Sequence, residues 1–132
     1  MKFLIGDTFS KERTVTDELV RAFAEVSGDY NPIHLDDEFA ASTRFGRRIS
    51  HGMLTAAFIS GVLGNQSTER KLVYLGQTIK FTLPVYIGDT ITTTSTVKAI
   101  RDDRNIVTFE TVCTNQNGET VLSGEGALMV LD

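Results

Sequence analysis

Residues 52–64 read GMLTAAFISGVLG, and this stretch decides the fold. Its only polar side chains are those of Thr55 and Ser60, so the pattern predicts a helix that is apolar almost all the way round and therefore buried on every side. The stretch is too short to cross a bilayer. Another part of the chain, or a partner subunit, must therefore cover this helix.

The covering element follows in the sequence as a set of alternating polar and apolar segments. This alternation predicts strands at about 71–81, 89–100, 104–114 and 119–131, and a further strand at about 8–15. Asn117 and Gly118 predict a hairpin turn, and no helical crossover is available between the strands, so antiparallel pairing is expected. The predicted fold class is α+β, with a curved antiparallel sheet around the long helix in a single domain over residues 1–132.

A sheet of about five strands covers only one side of such a helix and leaves an edge strand unpaired. A second copy of the chain would close that edge, so a homodimer is expected. Upstream, a helix is predicted from Thr16 to Gly28, with its inward stripe at Leu19, Val20, Phe23 and Val26. A short second helix is predicted at 36–42, buried through Phe39.

Composition limits the classes of function. The chain has 132 residues, a net charge of −4 and a pI near 5.1, which argues against a nucleic-acid partner because phosphate contacts need a surplus of cations. No segment is built as a signal peptide or a membrane span, so a cytoplasmic location is expected. The single cysteine, Cys113, is in phase with apolar neighbours and is expected to be a buried hydrophobe without a chemical role.

Residues 28–34, GDYNPIH, carry more chemistry than a turn needs. One interpretation is a simple turn, for which glycine, asparagine and proline suffice. The other is a catalytic pair, because Asp29 and His34 can exchange protons near neutral pH and share one water, with the amide of Asn31 orienting that water or the carboxylate. A calcium loop is excluded by the residues that follow, and two histidines without clustered cysteines do not support a transition-metal site.

Residues 49–54, ISHGML, lead into the apolar helix. Gly52 would present a free N–H at the helix N-terminus, which suits an oxyanion hole, or it is only a packing glycine at a tight junction. The role of His51 stays open. A basic loop with Arg44, Arg47 and Arg48 is either solvated surface or a site for a phosphorylated ligand.

Taken together, the segments AEVSGDYNPIHLDDEFAA, FGRRISHGMLTAAFISGVLG and YLGQTIKFTLPVYIGDTI resemble the MaoC-like hydratases, most closely the short (R)-specific enoyl-CoA hydratases. The D-x-N-x-x-H element followed by H-G-M is specific to that family, whereas F-x-x-P-V-x-x-G-D is a more general mark of the hot-dog fold. The resemblance implies a hot-dog fold and a dimer joined through the sheet edges.

The resemblance also implies reversible addition of water to a trans-2-enoyl-CoA, giving an (R)-3-hydroxyacyl-CoA without a metal or redox cofactor. By position, Asp29 and His34 match the catalytic pair, Asn31 its supporting amide and Gly52 the oxyanion donor. Met53 and Ser60 are expected in the acyl pocket, and Arg44, Arg47 and Arg48 near the CoA phosphates. The alternatives are a 3-hydroxyacyl-ACP dehydratase, an acyl-CoA thioesterase and a non-catalytic acyl-CoA-binding module.

Overall fold

The computed structural model describes residues 3–68 and 71–131 and contains both helices and strands, so the predicted α+β class is confirmed. In chain order the elements are β1 (Thr8–Thr14), α1 (Asp17–Ser27), α2 (Pro32–Leu35), α3 (Asp37–Ala41), α4 (Gly52–Gly64), a 3₁₀ turn (Asn65–Thr68), β2 (Lys71–Phe81), β3 (Thr90–Arg101), β4 (Ile106–Thr114) and β5 (Thr120–Leu131). Each predicted strand is present, with ends within two residues of those expected.

The five strands form one antiparallel sheet in the order β1-β3-β4-β5-β2. The predicted hairpin joins β4 to β5, where Gly118 has a positive φ of 75° and donates its N–H to the Asn115 carbonyl at 3.0 Å. The chain crosses from β2 at one edge to β3 beside the other edge. Strands β1 and β2 are therefore the two edges, and β2 exposes Val73 and Leu75.

Helix α4 packs against the sheet through one face only. Leu54, Phe58 and Ile59 are buried there, in one core with Val97, Phe109 and Leu122 of the strands. The opposite face is exposed in the single chain, which corrects the prediction of burial on every side; its residues are Met53, Ala57, Ser60, Gly61 and Gly64. The sheet therefore covers half of this apolar helix.

Two predicted core positions were wrong. Val26 is 82% exposed, because α1 turns Ala24 inward, together with Val20 as predicted. Phe39 is 45% exposed, and the buried residue of α3 is its small neighbour Ala40. In each case a small alanine one or two positions away faces the core in place of the larger residue that periodicity suggested.

The sequence also predicts a buried Cys113 and no membrane-spanning segment. The Cys113 side chain is fully buried, and burial raises the pKa of its thiol, in agreement with the expected apolar role. Among the described residues, no helix has the length and apolar character that crossing a membrane requires.

Candidate active site

The carboxylate of Asp29 lies in the loop that follows α1. Gly28 ends that helix in the left-handed conformation, with φ of 77°, and its N–H donates to the Ala24 carbonyl. Asp29 is then held by two hydrogen bonds. Its N–H donates to Ser27 Oγ at 3.1 Å, and its Oδ1 accepts from the Asn31 main-chain N–H at 3.1 Å. The Asp29 side chain is exposed in the single chain and lines a cavity.

His34 lies on α2, a single helical turn that forms where the sequence suggested only a turn. Asn31 caps this turn, since its Oδ1 accepts from the Ile33 N–H at 3.1 Å, and Pro32 takes the first helical position, where no donor is needed. Nδ1 of His34 donates to the Ile49 carbonyl at 2.8 Å. Because a carbonyl only accepts, Nδ1 carries the hydrogen and Nε2 of the neutral ring keeps its lone pair.

Burial is the main influence on the charge state of His34. The side chain is only 8% exposed, and loss of solvation lowers the pKa of the imidazole below its ordinary value of 6.5, with a smaller lowering from His51. The hydrogen bond to Ile49 and the charge of Asp29 act in the opposite direction. The unprotonated ring, which can accept a proton, is therefore the favoured form at neutral pH.

His51 is packed against His34. The ring centroids are 3.9 Å apart and the planes differ by 30°, while the Phe23 ring also packs against His51, with a centroid distance of 5.0 Å. Nε2 of His51 donates to the main-chain carbonyl of Asp29 at 3.0 Å. As a result, ligand atoms of Asp29, His34 and His51 all lie within 4.8 Å of one another.

This cluster suits proton transfer better than metal binding. A metal ion lies close to the plane of each imidazole that binds it, and ligands meet at wide angles around it. Two imidazoles stacked 3.9 Å apart with a tilt of 30° do not direct their lone pairs at one point. The Asp29 carboxylate and the unprotonated Nε2 of His34 instead offer two hydrogen-bond acceptors in the same cluster.

The N-terminus of α4 lies beside the two rings. Gly52 is its first residue, so the N–H has no intrahelical acceptor and the positive end of the helix dipole points outward. An isolated bridge between Ile49 and Tyr86, and a bond from the Ser50 N–H to the Val85 carbonyl at 2.6 Å, fix the segment that enters the helix. The ring of Phe81 lies over Gly52: a Cβ at position 52 would lie 2.9 Å from its Cε1.

These groups open into one cavity of about 470 Å³. One end carries the polar groups described above. The other walls are mainly apolar and come from the basic loop, α4, the end of β2, the segment after β2 and the start of β5; among them are Phe45, Met53, Phe81, Leu83, Pro84, Val85 and Val121. A cavity of this size with a few convergent polar groups is typical of a site for a small molecule.

This chain is similar to proteins of one known family. A family model described as "MaoC like domain" matches residues 5–118. The chain belongs to the MaoC-like family. The (R)-specific enoyl-CoA hydratase of Rhodospirillum rubrum is 42% identical over 125 residues, which cover 95% of this chain and 86% of that protein. The protein of the same name from Aeromonas caviae is 46% identical over 109 residues, covering 83% and 81%.

A solved structure described as the (R)-hydratase from A. caviae involved in PHA biosynthesis matches this MaoC-like chain with a TM-score of 0.93 at 40% identity, covering 98% of both chains. The hot-dog fold expected from the resemblance is thereby confirmed. The solved R-hydratase from Pseudomonas aeruginosa matches with a TM-score of 0.90 at 36% identity, over 98% of this chain and 83% of that one.

The MaoC-like fold brings together most of the residues singled out in the sequence. Asp29, His34 and Gly52 line the cavity, as do Met53 and Arg44. Asn31 contributes differently from the expectation: its main-chain N–H holds the Asp29 carboxylate and its side chain caps α2. Ser60 is exposed on the open face of α4 and does not line this cavity in the single chain.

The three arginines of the basic loop have different environments. Arg44 lines the cavity, and Arg47 lies over the ring of Tyr86 at 4.0 Å and lines a neighbouring depression. Arg48 is instead only 9% exposed, because Nε donates to the His34 carbonyl at 2.8 Å and Nη2 to Asp17 at 2.5 Å. This internal bonding corrects the expectation that Arg48 contacts a phosphate.

Sequence reasoning missed several residues that build the MaoC-like site. The Ile49 carbonyl fixes the tautomer of His34, and a main-chain acceptor leaves no signal in the sequence. Thr55, which is 1% exposed, lines the cavity one turn beyond His51 on α4, and a polar residue on an apolar helix was the available signal. Phe81 begins the F-x-x-P-V-x-x-G-D element, which indicates only the fold, although its ring lies over Gly52.

Proposed function

We propose that this protein catalyses the reversible, (R)-specific hydration of trans-2-enoyl-CoA to (R)-3-hydroxyacyl-CoA. The observation that carries the proposal is the pairing of the Asp29 carboxylate with the free Nε2 of His34, beside the N-terminus of α4 in one cavity. The names of the two relatives from R. rubrum and A. caviae support the same reaction. The proposed enzyme is thus a hydro-lyase.

The attacking water is bound by two acceptors. The Asp29 carboxylate and Nε2 of His34 each accept one hydrogen of the water, which leaves an oxygen lone pair free to face the β-carbon of the substrate. In the addition the carbon–carbon π bond breaks and the β-carbon gains the hydroxyl. The remaining proton of that water passes through the Asp29–His34 pair to the α-carbon on the same face. The dehydration is the reverse.

Negative charge that develops on the thioester oxygen is stabilised by the N–H of Gly52. This donor is fixed by α4 before the substrate arrives, so the protein does not reorganise during the reaction. The absence of a side chain allows a ligand to approach the main chain. Water addition changes no oxidation state overall, so the proposed step needs no redox cofactor.

Different residues are proposed to bind three parts of the substrate. The apolar residues, including Met53, are proposed to take the acyl chain close to the thioester. Arg44 lines the cavity and Arg47 lines the neighbouring depression; both are exposed and free of ion pairs with other described residues, so they are proposed to meet the phosphates of CoA. Ser60 would meet the distal acyl chain only where a second copy extends the cavity along α4.

We propose that the active form is a homodimer. Strand β2 is an edge with exposed Val73 and Leu75, and the adjacent face of α4 exposes Met53 and Ala57. Edge pairing of two β2 strands would satisfy the open main-chain groups and cover the apolar residues together. Light scattering at micromolar concentration is expected to give twice the chain mass of 14.5 kDa; a monomer would contradict the dimer.

The test of function mixes the protein with crotonyl-CoA and follows loss of the conjugated enoyl absorbance, with the handedness of the product determined afterwards. Asp29→Asn and His34→Gln are expected to lower kcat by roughly 10²- to 10⁴-fold while the circular dichroism spectrum is unchanged. Asp36→Asn is the matched control, because Asp36 caps α3 and does not line the cavity.

The same assay separates the alternatives. Release of free thiol would indicate a thioesterase, and preference for the acyl carrier protein thioester would indicate an ACP dehydratase. Tight binding of acyl-CoA without turnover would indicate a binding module. An (S)-product, or near-normal turnover in both variants, would overturn the assignment.

A further inference from the structure

His51 is the one member of the cluster to which neither the sequence nor the proposed reaction gives a role. It occupies the N-cap position of α4, yet its side chain does not cap the helix. The side chain is 2% exposed, and among the described residues Nδ1 has no hydrogen-bond partner. Leaving a buried polar atom unpaired is unfavourable, so an imidazole at this position calls for an explanation beyond packing.

The explanation lies in what the ring contacts. Nε2 donates to the carbonyl of Asp29, one ring face lies on His34, and the Phe23 ring also packs against His51. These contacts fix His51 between α1 and α2. The ring is therefore a rigid link between the loop that carries the carboxylate and the helix turn that carries the base.

We propose that His51 is a positioning residue that sets the geometry between Asp29 and His34. This inference rests on the proposed hydration. Each member of the pair already has one restraint: the Asn31 N–H holds the Asp29 carboxylate, and the Ile49 carbonyl holds Nδ1 of His34. One hydrogen bond leaves an aromatic ring free to rotate about the bond direction.

His51 supplies the second restraint in both cases. Stacking at 3.9 Å fixes the plane of the His34 ring, and hence the direction of the Nε2 lone pair. The bond to the Asp29 carbonyl fixes the main chain from which the carboxylate projects. Catalysis by two groups on one water depends steeply on their separation, so a displacement of about 1 Å lowers the rate by roughly 100-fold.

Three variants test the inference. His51→Leu removes the donor and the ring, whereas His51→Gln keeps a donor near the position of Nε2. Phe23→Leu loosens the support of His51 without removing any hydrogen bond. We expect kcat for crotonyl-CoA hydration to fall about 10- to 100-fold in His51→Leu with KM within threefold of wild type, and His51→Gln to recover at least a tenth of wild-type kcat.

A spectroscopic measurement separates positioning from folding and does not depend on turnover. In ¹⁵N NMR of labelled protein, the Ile49 carbonyl is expected to hold His34 as the tautomer with hydrogen on Nδ1 in the wild type and in the variants. The ring signals should be sharp in the wild type and should broaden in both His51 variants, because neither keeps a ring stacked on His34. If His51→Leu does not fold, Phe23→Leu provides the comparison, with a smaller loss of kcat of about threefold and the same change in the His34 signals.

Several results would overturn the inference. They are unchanged kcat in folded His51→Leu, a loss confined to KM, or His34 signals that are identical in all variants. If the wild type fails to hydrate enoyl-CoA, the proposed function is refuted, while the NMR comparison still decides whether His51 orders the ring of His34.

Discussion

Replacing Arg48 by methionine tests whether this arginine holds the active-site turn or binds the substrate. Its guanidinium joins the start of α1 to the carbonyl of His34, and it is 9% exposed. Methionine keeps most of the apolar stem, so the change removes hydrogen bonds and charge with little loss of packing. The contacts of Arg48 with the His34 carbonyl and with Asp17 contribute different free energies.

The bond to the His34 carbonyl is buried and charge-assisted, and such bonds contribute about 1.5 to 3 kcal/mol. The ion pair with Asp17 is worth less, about 0.5 to 1 kcal/mol, because the Asp17 side chain is 48% exposed and water screens it. The free energy of unfolding should therefore fall by about 2 to 4 kcal/mol, which lowers Tm by roughly 10 °C in a domain of this size. Thermal unfolding at a fixed protein concentration measures this shift.

The expected kinetic result is a lower kcat with KM for the CoA substrate near the wild-type value, because α2 is displaced but no phosphate contact is lost. Arg47→Met is the matched control: Arg47 is exposed over the Tyr86 ring, so its loss should leave Tm within about 2 °C and raise KM. A normal Tm together with raised KM in Arg48→Met would refute the structural role and restore a phosphate contact.

Three further predictions concern the charge of His34, the approach to Gly52 and the edge of the sheet. Because burial lowers the pKa of His34 below 6.5, the free energy of unfolding should decline as the pH falls below 6.5, and the acid limb of kcat/KM should also lie below 6.5. Urea titrations across pH should show a smaller decline in His34→Gln; an equal decline would count against this group. Gly52→Ala keeps the N–H but places a methyl group where the thioester approaches the main chain, so a displacement of about 1 Å should lower kcat/KM by roughly 100-fold. Little effect on Tm is expected, since the half-exposed Phe81 ring can move aside; retained activity would show that the substrate does not approach the main chain at Gly52. Val73→Lys on β2 should give a monomer by light scattering, whereas Val26→Lys on the exposed side of α1 should not; a dimer in both would place the interface elsewhere.

The sequence predicted the sheet well because alternation and turn residues are local signals. Five strands and the hairpin at Asn117 and Gly118 follow from neighbours along the chain. Burial on the helices was less predictable. Whether Val26 or Ala24 faces inward depends on how α1 lies on the core, and that orientation is a tertiary property which periodicity cannot resolve to one position.

In the site, too, local features were predictable and tertiary contacts were not. Asp29, His34 and Gly52 were predicted from short segments because each motif puts its residues close in sequence. The acceptor for His34, the internal bonds of Arg48 and the stacking of His51 connect residues 14 to 31 positions apart. Such contacts exist only once α1, α2 and the start of α4 have assembled. For this reason the sequence predicts a phosphate contact for Arg48, whereas the folded chain buries its side chain.

The burial of the three clustered side chains indicates what completes the site. His34 and His51 are enclosed within one chain, but Asp29 is exposed. A carboxylate open to bulk water shares its hydrogen bonds with many solvent molecules, and the preorganisation that catalysis requires is weakened. The cavity that Asp29 lines is also lined by Phe81, the last residue of β2, and by Met53 on the open face of α4. The surface that an unpaired sheet edge leaves exposed therefore borders the proposed reaction site. For this reason the proposed pairing of two chains would close the sheet and shield the carboxylate in one step.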